Sequence, residues 1–374
     1  MWDMHIAINA TILDDKPSGL GVYTVNLIRE LSTLTRNLSV FTAKPEYFQA
    51  MNGINVYDVT RKVTKQIGSI NHLRRMLWTQ FALPFNLKCD DIYISPTQLE
   101  LVLFPNNQEI AIIHDILPLM FPDEYPRLQY FFRYVLPIGL RNSTAIVVDS
   151  KNTGDDIIKL YGVRPSKIHL VPPGFDSTIY KPQQYESINI IKNKYGIGDY
   201  ILYVGNLYPH KNLKRLLEAF SIIQSSIPHK LIIVGYKDNR YYPAINRDVV
   251  QMGIEHRVLF LDYISADELP ILYAGASLFV FPSLYEGFGL PPLEAMASGT
   301  PVACSNTSSL PEVVGDAALL FDPCSIEEMA NAMRKVLSDS TLRDELRDRG
   351  LERSKLFSWN KTAKGIMDIV NSIK

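Results

Sequence analysis

The chain contains 374 residues, carries a formal net charge of −1, and is 47% hydrophobic and 21% charged. This length and apolar fraction are sufficient for two buried cores, so two domains are expected. The near-neutral charge excludes the broadly basic surface of a typical nucleic-acid-binding protein, and no run approaches the roughly 18 consecutive apolar residues of a membrane span.

Short apolar runs alternate with segments of helical period along the chain. The run HIAINA precedes a predicted helix over 22–34, EIAIIHD precedes one around 128–140, and AIVVDS precedes one over 152–160. The rhythm returns after residue 190 with YILYVGN, HKLIIVG, RVLFLDY, LFVFPS and PVACSN. Such alternation predicts βαβ units, and therefore an α/β protein with two doubly wound parallel sheets.

A break in this rhythm separates the two predicted domains. Prolines and Gly174 interrupt any periodic pattern over 172–185, which is typical of an inter-domain connection. The predicted domains are residues 1–178 and 179–358. The tail, 359–374, is amphipathic and is predicted to pack back on the first domain as a helix.

A glycine pair follows the first predicted strand. In the segment KPSGLGVYTVNLIREL, Gly19 and Gly21 lie between that strand and the first helix. Glycine is favoured in any tight strand-to-helix turn, so the pair alone does not distinguish a binding loop from an ordinary turn.

Residues 61–88 combine basic and apolar side chains in one amphipathic segment. Its members are Arg61, Lys62, Lys65, Arg74, Arg75, Leu77, Trp78 and Phe81. Such a helix suits an anionic membrane surface, although a similar stripe also forms when one face packs on a core and the other is solvated. Both interpretations stay open.

An apolar strand, AIIHD, runs directly into His114 and Asp115. A lone histidine at a strand end is more often a satisfied core or turn residue than a catalyst. In the second domain, YVGNLYPHKNLKRLLEAF places Asn206 after a strand and Lys211 near the start of a helix. A cation and free amides at a helix start favour a diphosphate, and His210 is a further candidate for this contact.

The segment FPSLYEGFGLPPLEAMASGTPV, residues 281–302, is the most specific motif. It predicts a buried strand, a glycine-rich turn that holds Glu286, and a helix opened by Pro291 and Pro292 with Glu294 in its first turn. Open α/β sheets bind ligands at this edge, where two carboxylates suit a ligand rich in hydroxyl groups. Alternatively, Glu286 is a loop charge and Glu294 complements the helix dipole.

The two glutamates and the residues between them resemble the signature of family 4 glycosyltransferases with the GT-B fold, and the resemblance spans nearly the whole chain. It implies two Rossmann-like domains that face each other across a cleft. It also implies that Glu286 contacts the donor sugar, that Glu294 binds the ribose hydroxyls, and that backbone amides of four residues bind sugar and diphosphate. These four are Gly287, Phe288, Gly289 and Leu290.

The same resemblance assigns the other motifs. Lys211 contacts the donor phosphates, whereas Asn206 stands where the family has an arginine. His114 lies under the donor sugar and contacts its hydroxyls. The turn with Gly19 and Gly21 closes over the diphosphate. The resemblance therefore predicts His114, Lys211 and Glu286 as catalytic residues, and the glycines, Asn206, Lys211 and 287–290 with Glu294 as donor-binding residues.

The absence of an Asp-x-Asp pair removes the usual carboxylate clamp for a divalent ion, so no metal and no cofactor are expected. The resemblance implies transfer with retention, and the longest matching runs are most similar to bacterial mannosyltransferases of polysaccharide assembly. GDP-mannose is therefore the first choice of donor, and a glycan or lipid-linked saccharide is the expected acceptor. UDP- and dTDP-sugars stay open, as do a nucleotide-sugar epimerase and a non-catalytic binding module.

Three cysteines, Cys89, Cys304 and Cys324, show neither C-x-x-C nor metal-ligand spacing. They are interpreted as reduced core thiols. The amino terminus, MWDMHIAINAT, lacks the charged and apolar regions of a signal peptide. The expected location is the cytoplasm, with peripheral contact to the cytoplasmic membrane face left open.

Overall fold

The computed structural model describes residues 4–15, 18–59, 63, 69–88, 91–262 and 264–373, with the backbone alone described at 69–71. Contacts between Cα atoms divide the chain into unit 1, residues 1–174 with 359–374, and unit 2, residues 175–358. The sequence pattern placed this boundary a few residues later. Each unit is described by itself, and the cleft expected between them stays a prediction.

Unit 1 is built on a parallel sheet of seven described strands. The strands are β1 (Ile6–Asn9), β2 (Leu38–Thr42), β3 (Ile54–Asp58), β4 (Ile92–Ser95), β5 (Gln108–Ile113), β6 (Ala145–Val148) and β7 (Ile168–Leu170). Their spatial order is β3-β2-β1-β4-β5-β6-β7. The direction of winding therefore reverses between β1 and β4, the type of position at which open α/β sheets bind ligands.

Helices connect these strands. They are α1 (Gly19–Leu34), α2 (Ser69–Phe81), α3 (Leu117–Met120), α4 (Leu128–Tyr130), α5 (Leu136–Asn142) and α6 (Lys151–Tyr161), with a π-helical turn (Phe131–Val135) between α4 and α5. The C-terminal helix (Trp359–Ser372) also lies in unit 1, where Ile366 and Ile369 are buried. Its apolar face packs beside α1 in the core.

The two faces of the unit 1 sheet carry separate apolar clusters. Ile6 and Ile8 point to the face that the C-terminal helix covers, whereas Ala7 points to the other face with Phe41 and Tyr93. This alternation follows from the period of two in a strand. Because both faces are covered, the strands β1, β4 and β6 are buried along their whole length, as is typical of parallel sheets.

Unit 2 contains a second parallel sheet, of six described strands. The strands are β8 (Tyr200–Val204), β9 (Lys230–Val234), β10 (Val258–Leu261), β11 (Leu278–Phe281), β12 (Val302–Ser305) and β13 (Ala318–Phe321). The spatial order is β10-β9-β8-β11-β12-β13, so the winding reverses between β8 and β11. Loops that leave these two strands are brought together at one edge.

The unit 2 helices cover both faces of that sheet. They are α7 (Tyr185–Tyr195), α8 (Leu213–Ile223), α9 (Tyr242–Gln251), α10 (Leu269–Ala274), α11 (Leu290–Ala297), α12 (Leu310–Val314), α13 (Ile326–Ser338) and α14 (Ser340–Ser354). One continuous core joins them, with Phe220, Phe279 and Phe281 fully buried.

The predicted α/β class with two doubly wound parallel sheets is confirmed. The helix expected at 22–34 begins at Gly19, and the one expected around 128–140 is interrupted by the π-helical turn. The predicted core position of the cysteines is confirmed for buried Cys304 and wrong for exposed Cys324, while Cys89 lies outside the described residues. None of the described helices has the length and apolar character needed to cross a bilayer.

Candidate active site

The loops that follow β8 and β11 meet at the winding reversal of unit 2. These strands are paired in parallel, so their carboxyl ends lie side by side. The backbone N–H of Leu284, in the loop after β11, donates to the carbonyl of His210, in the loop after β8, at 2.8 Å. The two strongest motifs of unit 2 therefore form one structural site.

Lys211 and Glu286 form an ion pair at this site. Lys211 Nζ lies 2.6 Å from Glu286 Oε1, and the two side chains are only 13% and 11% exposed. The ammonium also lies 5.4 Å from the ring centroid of Phe281, at the end of β11. A mostly dehydrated ammonium and carboxylate in contact offer a ligand one charge for phosphate and one acceptor for hydroxyl groups.

Asn212 fixes the Lys211 loop to the sheet edge. Its backbone is left-handed, with φ 61°, and its side-chain amide donates to the carbonyls of Pro282 at 3.0 Å and Pro323 at 2.7 Å. Asparagine tolerates this conformation better than most residues. Helix α8 begins at the next residue, so Lys211 lies in a 3₁₀ turn (Pro209–Lys211) just before the helix.

His210 does not add a second positive charge to this loop. Burial, together with the adjacent charge of Lys211, lowers the pKa of His210 to about 3. The imidazole is therefore neutral near pH 7, and the contact of His210 with phosphate stays a prediction. Asn206, also predicted to contact donor, is exposed and uncharged, so the cationic character of this loop rests on Lys211.

Two serines that the sequence analysis did not single out hold the Glu286 loop. The backbone N–H of Glu286 donates to Ser308 Oγ at 3.0 Å, and Ser309 Oγ donates to the carbonyls of Glu286 and Phe288. Ser308 itself has a left-handed backbone, with φ 52°. The sequence SNTSSLPE preceding a helix is a typical location for such side-chain-to-backbone bonds.

Gly289 connects the Glu286 loop to α11. Its φ of 127° is open to glycine alone, and a Cβ there would lie 2.8 Å from Leu310 Cδ2. The helix begins at Leu290 rather than at the prolines, so its first turn carries no acidic residue and the prediction of Glu294 in that turn is wrong. The amides of 287–290 stand at the start of α11, as an anion site requires.

Glu294 occupies a less polar setting than Glu286. The hydroxyl of Tyr273 donates to Glu294 Oε2 at 3.0 Å, and Tyr180 supplies a second hydroxyl contact. Burial raises the pKa of this carboxyl to about 7, although the two tyrosines act in the opposite direction. Both protonation states are therefore populated at neutral pH.

This pKa gives a testable pH dependence. If ligand hydroxyl groups donate to ionised Glu294, nucleotide affinity should rise as the pH increases through about 7, because protonation removes an acceptor. Calorimetric titration with GDP at about pH 6 and about pH 8 measures the effect. Glu294→Gln should bind more weakly at high pH and lose the pH dependence. An equally steep dependence in that variant would contradict the assignment.

A pocket of about 270 Å³ lies at the carboxyl ends of β8, β9 and β10. Its walls include Gly205, Gly235, Tyr236 and Asp262. A Cβ at Gly235 would lie 2.0 Å from the Gly205 carbonyl oxygen, so the two loops touch through their backbones. A mostly apolar slot with one carboxylate suits a planar heterocycle, and the sequence analysis did not identify it.

The glycines predicted to form a turn in unit 1 lie inside a helix. Ser18 occupies the N-cap position of α1 without a side-chain cap bond, Gly19 is the first residue of the helix and Gly21 its third. The predicted position of both glycines in a turn before the first helix is therefore wrong, and a Cβ at Gly19 would meet no atom within 4 Å. The predicted contact of Gly19 and Gly21 with a ligand stays a prediction.

His114 lies at the end of β5 and is buried, with both ring nitrogens engaged. Nδ1 lies 2.7 Å from Asp149 Oδ2, and Nε2 lies 2.9 Å from the carbonyl oxygen of Pro96. The ring of Tyr23, on α1, meets the imidazole edge to face at 4.4 Å. A sugar hydroxyl that bonds to Nε2 must therefore displace the carbonyl oxygen of Pro96.

Sequence reasoning did not predict Asp149 as the partner of His114. The available signal was the succession of AIIHD and AIVVDS, because sequential parallel strands often pair. Ile113 and Val148 are register partners in β5 and β6, so the residues that follow them leave the sheet side by side. Within the described ranges, no group of three or more His, Cys, Asp or Glu is arranged to hold a metal ion.

Comparison with known proteins places these residues in a wider context. The chain matches Glycosyltransferase Family 4 over residues 17–178 and Glycosyl transferases group 1 over residues 186–353. It is 34% identical to the O-antigen chain mannosyltransferase B of Escherichia coli over 72% of this chain and 71% of that protein. It is 28% identical to the O-antigen chain mannosyltransferase RfbU of Salmonella typhimurium over 88% of this chain and 90% of that protein.

A solved structure extends the likeness to the whole fold. HepE of Anabaena in complex with UDP and glucose matches with a TM-score of 0.79 and 20% identity, over 99% of this chain and 100% of that chain. At this identity the likeness concerns the fold alone. It confirms the predicted GT-B fold.

Proposed function

Because the chain belongs to the family 4 glycosyltransferases, we propose that it moves mannose from GDP-mannose to a glycan or lipid-linked saccharide with retention of configuration. Both relatives named above are O-antigen mannosyltransferases, and one of them is aligned over most of this chain. Their names support mannose as the donor sugar and polysaccharide synthesis as the setting.

The observation that carries the proposal is the contact between Lys211 and Glu286. In the ligand-free state each neutralises the other, so the site holds a cation and an acceptor without an unpaired buried charge. A sugar diphosphate can separate them, with phosphate on the ammonium and a sugar hydroxyl on the carboxylate. The amides at the start of α11 supply further donors to the phosphates.

The proposed reaction needs no covalent contribution from the chain. The bond between the anomeric carbon and the phosphate oxygen breaks, and the acceptor oxygen bonds to the same face of that carbon. The acceptor proton passes to the departing phosphate, which leaves as GDP. Lys211 stabilises the charge that develops on that phosphate, and no divalent ion is required in this scheme.

Thermal shifts test the choice of nucleotide and the role of metal. The purified protein is heated with GDP, UDP, dTDP or GDP-mannose, each with and without EDTA. Selective stabilisation by GDP and GDP-mannose that persists in EDTA is expected, because a ligand that binds only the folded state raises its stability. Loss of the shift in EDTA would contradict the metal-independent scheme.

A UDP-sugar donor is the second candidate. HepE, which shares the fold, has a structure in complex with UDP and glucose, so UDP is the first alternative nucleotide to test. Preferential stabilisation by UDP would support this alternative and leave the fold and the site assignments intact. Turnover of the donor without any acceptor would instead indicate an epimerase, and donor binding without turnover would indicate a binding module.

We further propose that helix α2 contacts an anionic membrane that carries the acceptor. Leu73, Leu77 and Phe81, spaced four residues apart, are 52%, 44% and 69% exposed and form an apolar stripe. Trp78, predicted to belong to this surface, is instead buried in the core of unit 1. Arg74 and Arg75 stand beside this stripe, while the predicted basic residues Arg61, Lys62 and Lys65 lie outside the described residues. Exposed apolar residues beside arginines match an anionic lipid surface.

Vesicle binding tests this surface. Leu77→Ser combined with Phe81→Ser should reduce co-sedimentation with phosphatidylglycerol vesicles at least about 10-fold, since two large apolar groups no longer enter the lipid. The matched control is Ile190→Ser, which removes an exposed apolar side chain from unit 2. Equal binding by the double variant and the control would contradict the membrane proposal.

A further inference from the structure

The His114–Asp149 pair has an unusual set of hydrogen-bond partners. Asp149 Oδ2 lies 2.7 Å from Nδ1 of His114, and the carbonyl oxygen of Pro96 lies 2.9 Å from Nε2 of the same ring. A carboxylate oxygen and a carbonyl oxygen are both acceptors, and neither donates. A neutral imidazole donates through one nitrogen only, so its other nitrogen would direct a lone pair at an oxygen atom.

The charges and hydrogen bonds around the pair favour a doubly protonated imidazole, against the effect of burial. Burial acts to lower the pKa of His114, but the charges of Asp149 and Asp115 and the bonds to Asp149 and Pro96 outweigh it and raise the pKa. The ring is enclosed, because Tyr23 covers one side at 4.4 Å and is itself buried. A charged imidazole in such a setting depends on its carboxylate partner.

Another histidine of unit 1 provides a contrast. His5 Nδ1 lies 2.7 Å from Asp91 Oδ1, the same distance as in the His114 pair, but His5 Nε2 faces the hydroxyl of Ser39 at 2.9 Å. A hydroxyl can donate or accept, so this arrangement is satisfied by either protonation state. The carbonyl partner is therefore what distinguishes His114.

We infer that Asp149 is a positioning residue, which holds His114 in one orientation and in its doubly protonated form so that Nε2 is a hydrogen-bond donor and not a base. The catalytic half of this inference rests on the proposed sugar transfer. In that reaction an oxygen of the sugar takes the place of the Pro96 carbonyl oxygen as the hydrogen-bond acceptor of Nε2. The fixed imidazolium then donates to the sugar without reorienting.

Two further atoms next to the pair lack a partner in the described part of the chain. They are Asp149 Oδ1 and the hydroxyl of Tyr23, both inaccessible to solvent. Buried polar atoms are rarely left without hydrogen bonds, so the surroundings of this pair depart from ordinary core packing.

Side-chain nitrogen NMR on the ligand-free protein tests the charge state. With His114 assigned by comparison with His114→Gln, the wild type should show the doubly protonated pattern at about pH 8, well above the ordinary histidine pKa of about 6.5. Asp149→Asn keeps the shape but removes the charge, and should convert His114 to a neutral form. A neutral His114 in the wild type, or an unchanged one in Asp149→Asn, would overturn the inference.

Kinetics test the catalytic half. Asp149→Asn should lower kcat for sugar transfer about 10- to 100-fold, the range found when a residue that orients a functional histidine is removed. Asp91→Asn, at the other histidine pair, should lower the melting temperature but leave kcat and the His114 signal unchanged. If kcat fell equally in both variants, the role of Asp149 would be structural only, and the catalytic half of the inference would be wrong. Since NMR needs no substrate, failure of the charge state is distinguishable from failure of the proposed function.

Discussion

Replacement of Glu286 by glutamine is expected to lower kcat about 100- to 1,000-fold, the range that follows loss of one preorganised polar contact to a transition state. The carboxylate contacts Lys211 at 2.6 Å, and Ser308 and Ser309 hold the backbone of Glu286, so the amide occupies the same place without the charge. Lys211→Met should lower kcat by a similar factor, because the leaving phosphate loses its cation. Steady-state transfer assays measure both.

A double-mutant cycle shows whether the two residues act as a pair. The variant with both changes should lose less activity than the product of the single losses, because residues in direct contact couple. Lys214→Met is the matched control, since Lys214 is exposed on the first turn of α8 and should not affect kcat. Strictly additive losses, or a Glu286→Gln enzyme as active as the wild type, would contradict the assigned roles.

Gly235→Ala is expected to destabilise unit 2 by about 2–3 kcal/mol, toward the upper end of overpacking costs. The new Cβ would lie 2.0 Å from the carbonyl oxygen of Gly205. That neighbour is backbone, so relief requires β8 and β9 to separate at their carboxyl ends. The same movement deforms the pocket beside Asp262, and nucleotide affinity should fall together with stability.

Urea unfolding followed by far-UV circular dichroism measures the first effect, and calorimetric titration with the nucleotide measures the second. The matched control is Gly198→Ala, where a Cβ would meet no atom within 4 Å and φ is not left-handed. That control should differ from the wild type by less than about 0.5 kcal/mol. If Gly235→Ala unfolds at the same urea concentration as the control, the close backbone contact is wrong.

The fold could be predicted from the sequence because most of its strands contain short continuous apolar runs. LIIV in β9 and LFVF in β11 are buried on both faces, and only a parallel sheet with helices on each side accommodates many such runs. Helix ends were harder to place. Nothing in the pattern distinguishes Gly19 in a helix from Gly19 in a turn, since α1 lacks a side-chain cap that would mark its start.

The candidate site was predictable where one motif contains the chemistry. Lys211 and Glu286 were each identified from local sequence, but their contact depends on strand order, which places β8 beside β11. The contacts of His114 also depend on strand order, because Asp149 and Pro96 follow the ends of two different strands. Pairings between distant segments are set by sheet topology, and a single sequence contains no local signal for them.

The most direct test of the central claim is the anomeric configuration of the product. The enzyme is incubated with GDP-mannose, EDTA and a mannose-terminated acceptor, and the new linkage is assigned from the one-bond carbon–proton coupling at its anomeric carbon. The account predicts an α-mannoside, the configuration of the donor, formed with one GDP released per linkage. A β-mannoside would contradict retention, and transfer from UDP-glucose but not from GDP-mannose would contradict the donor.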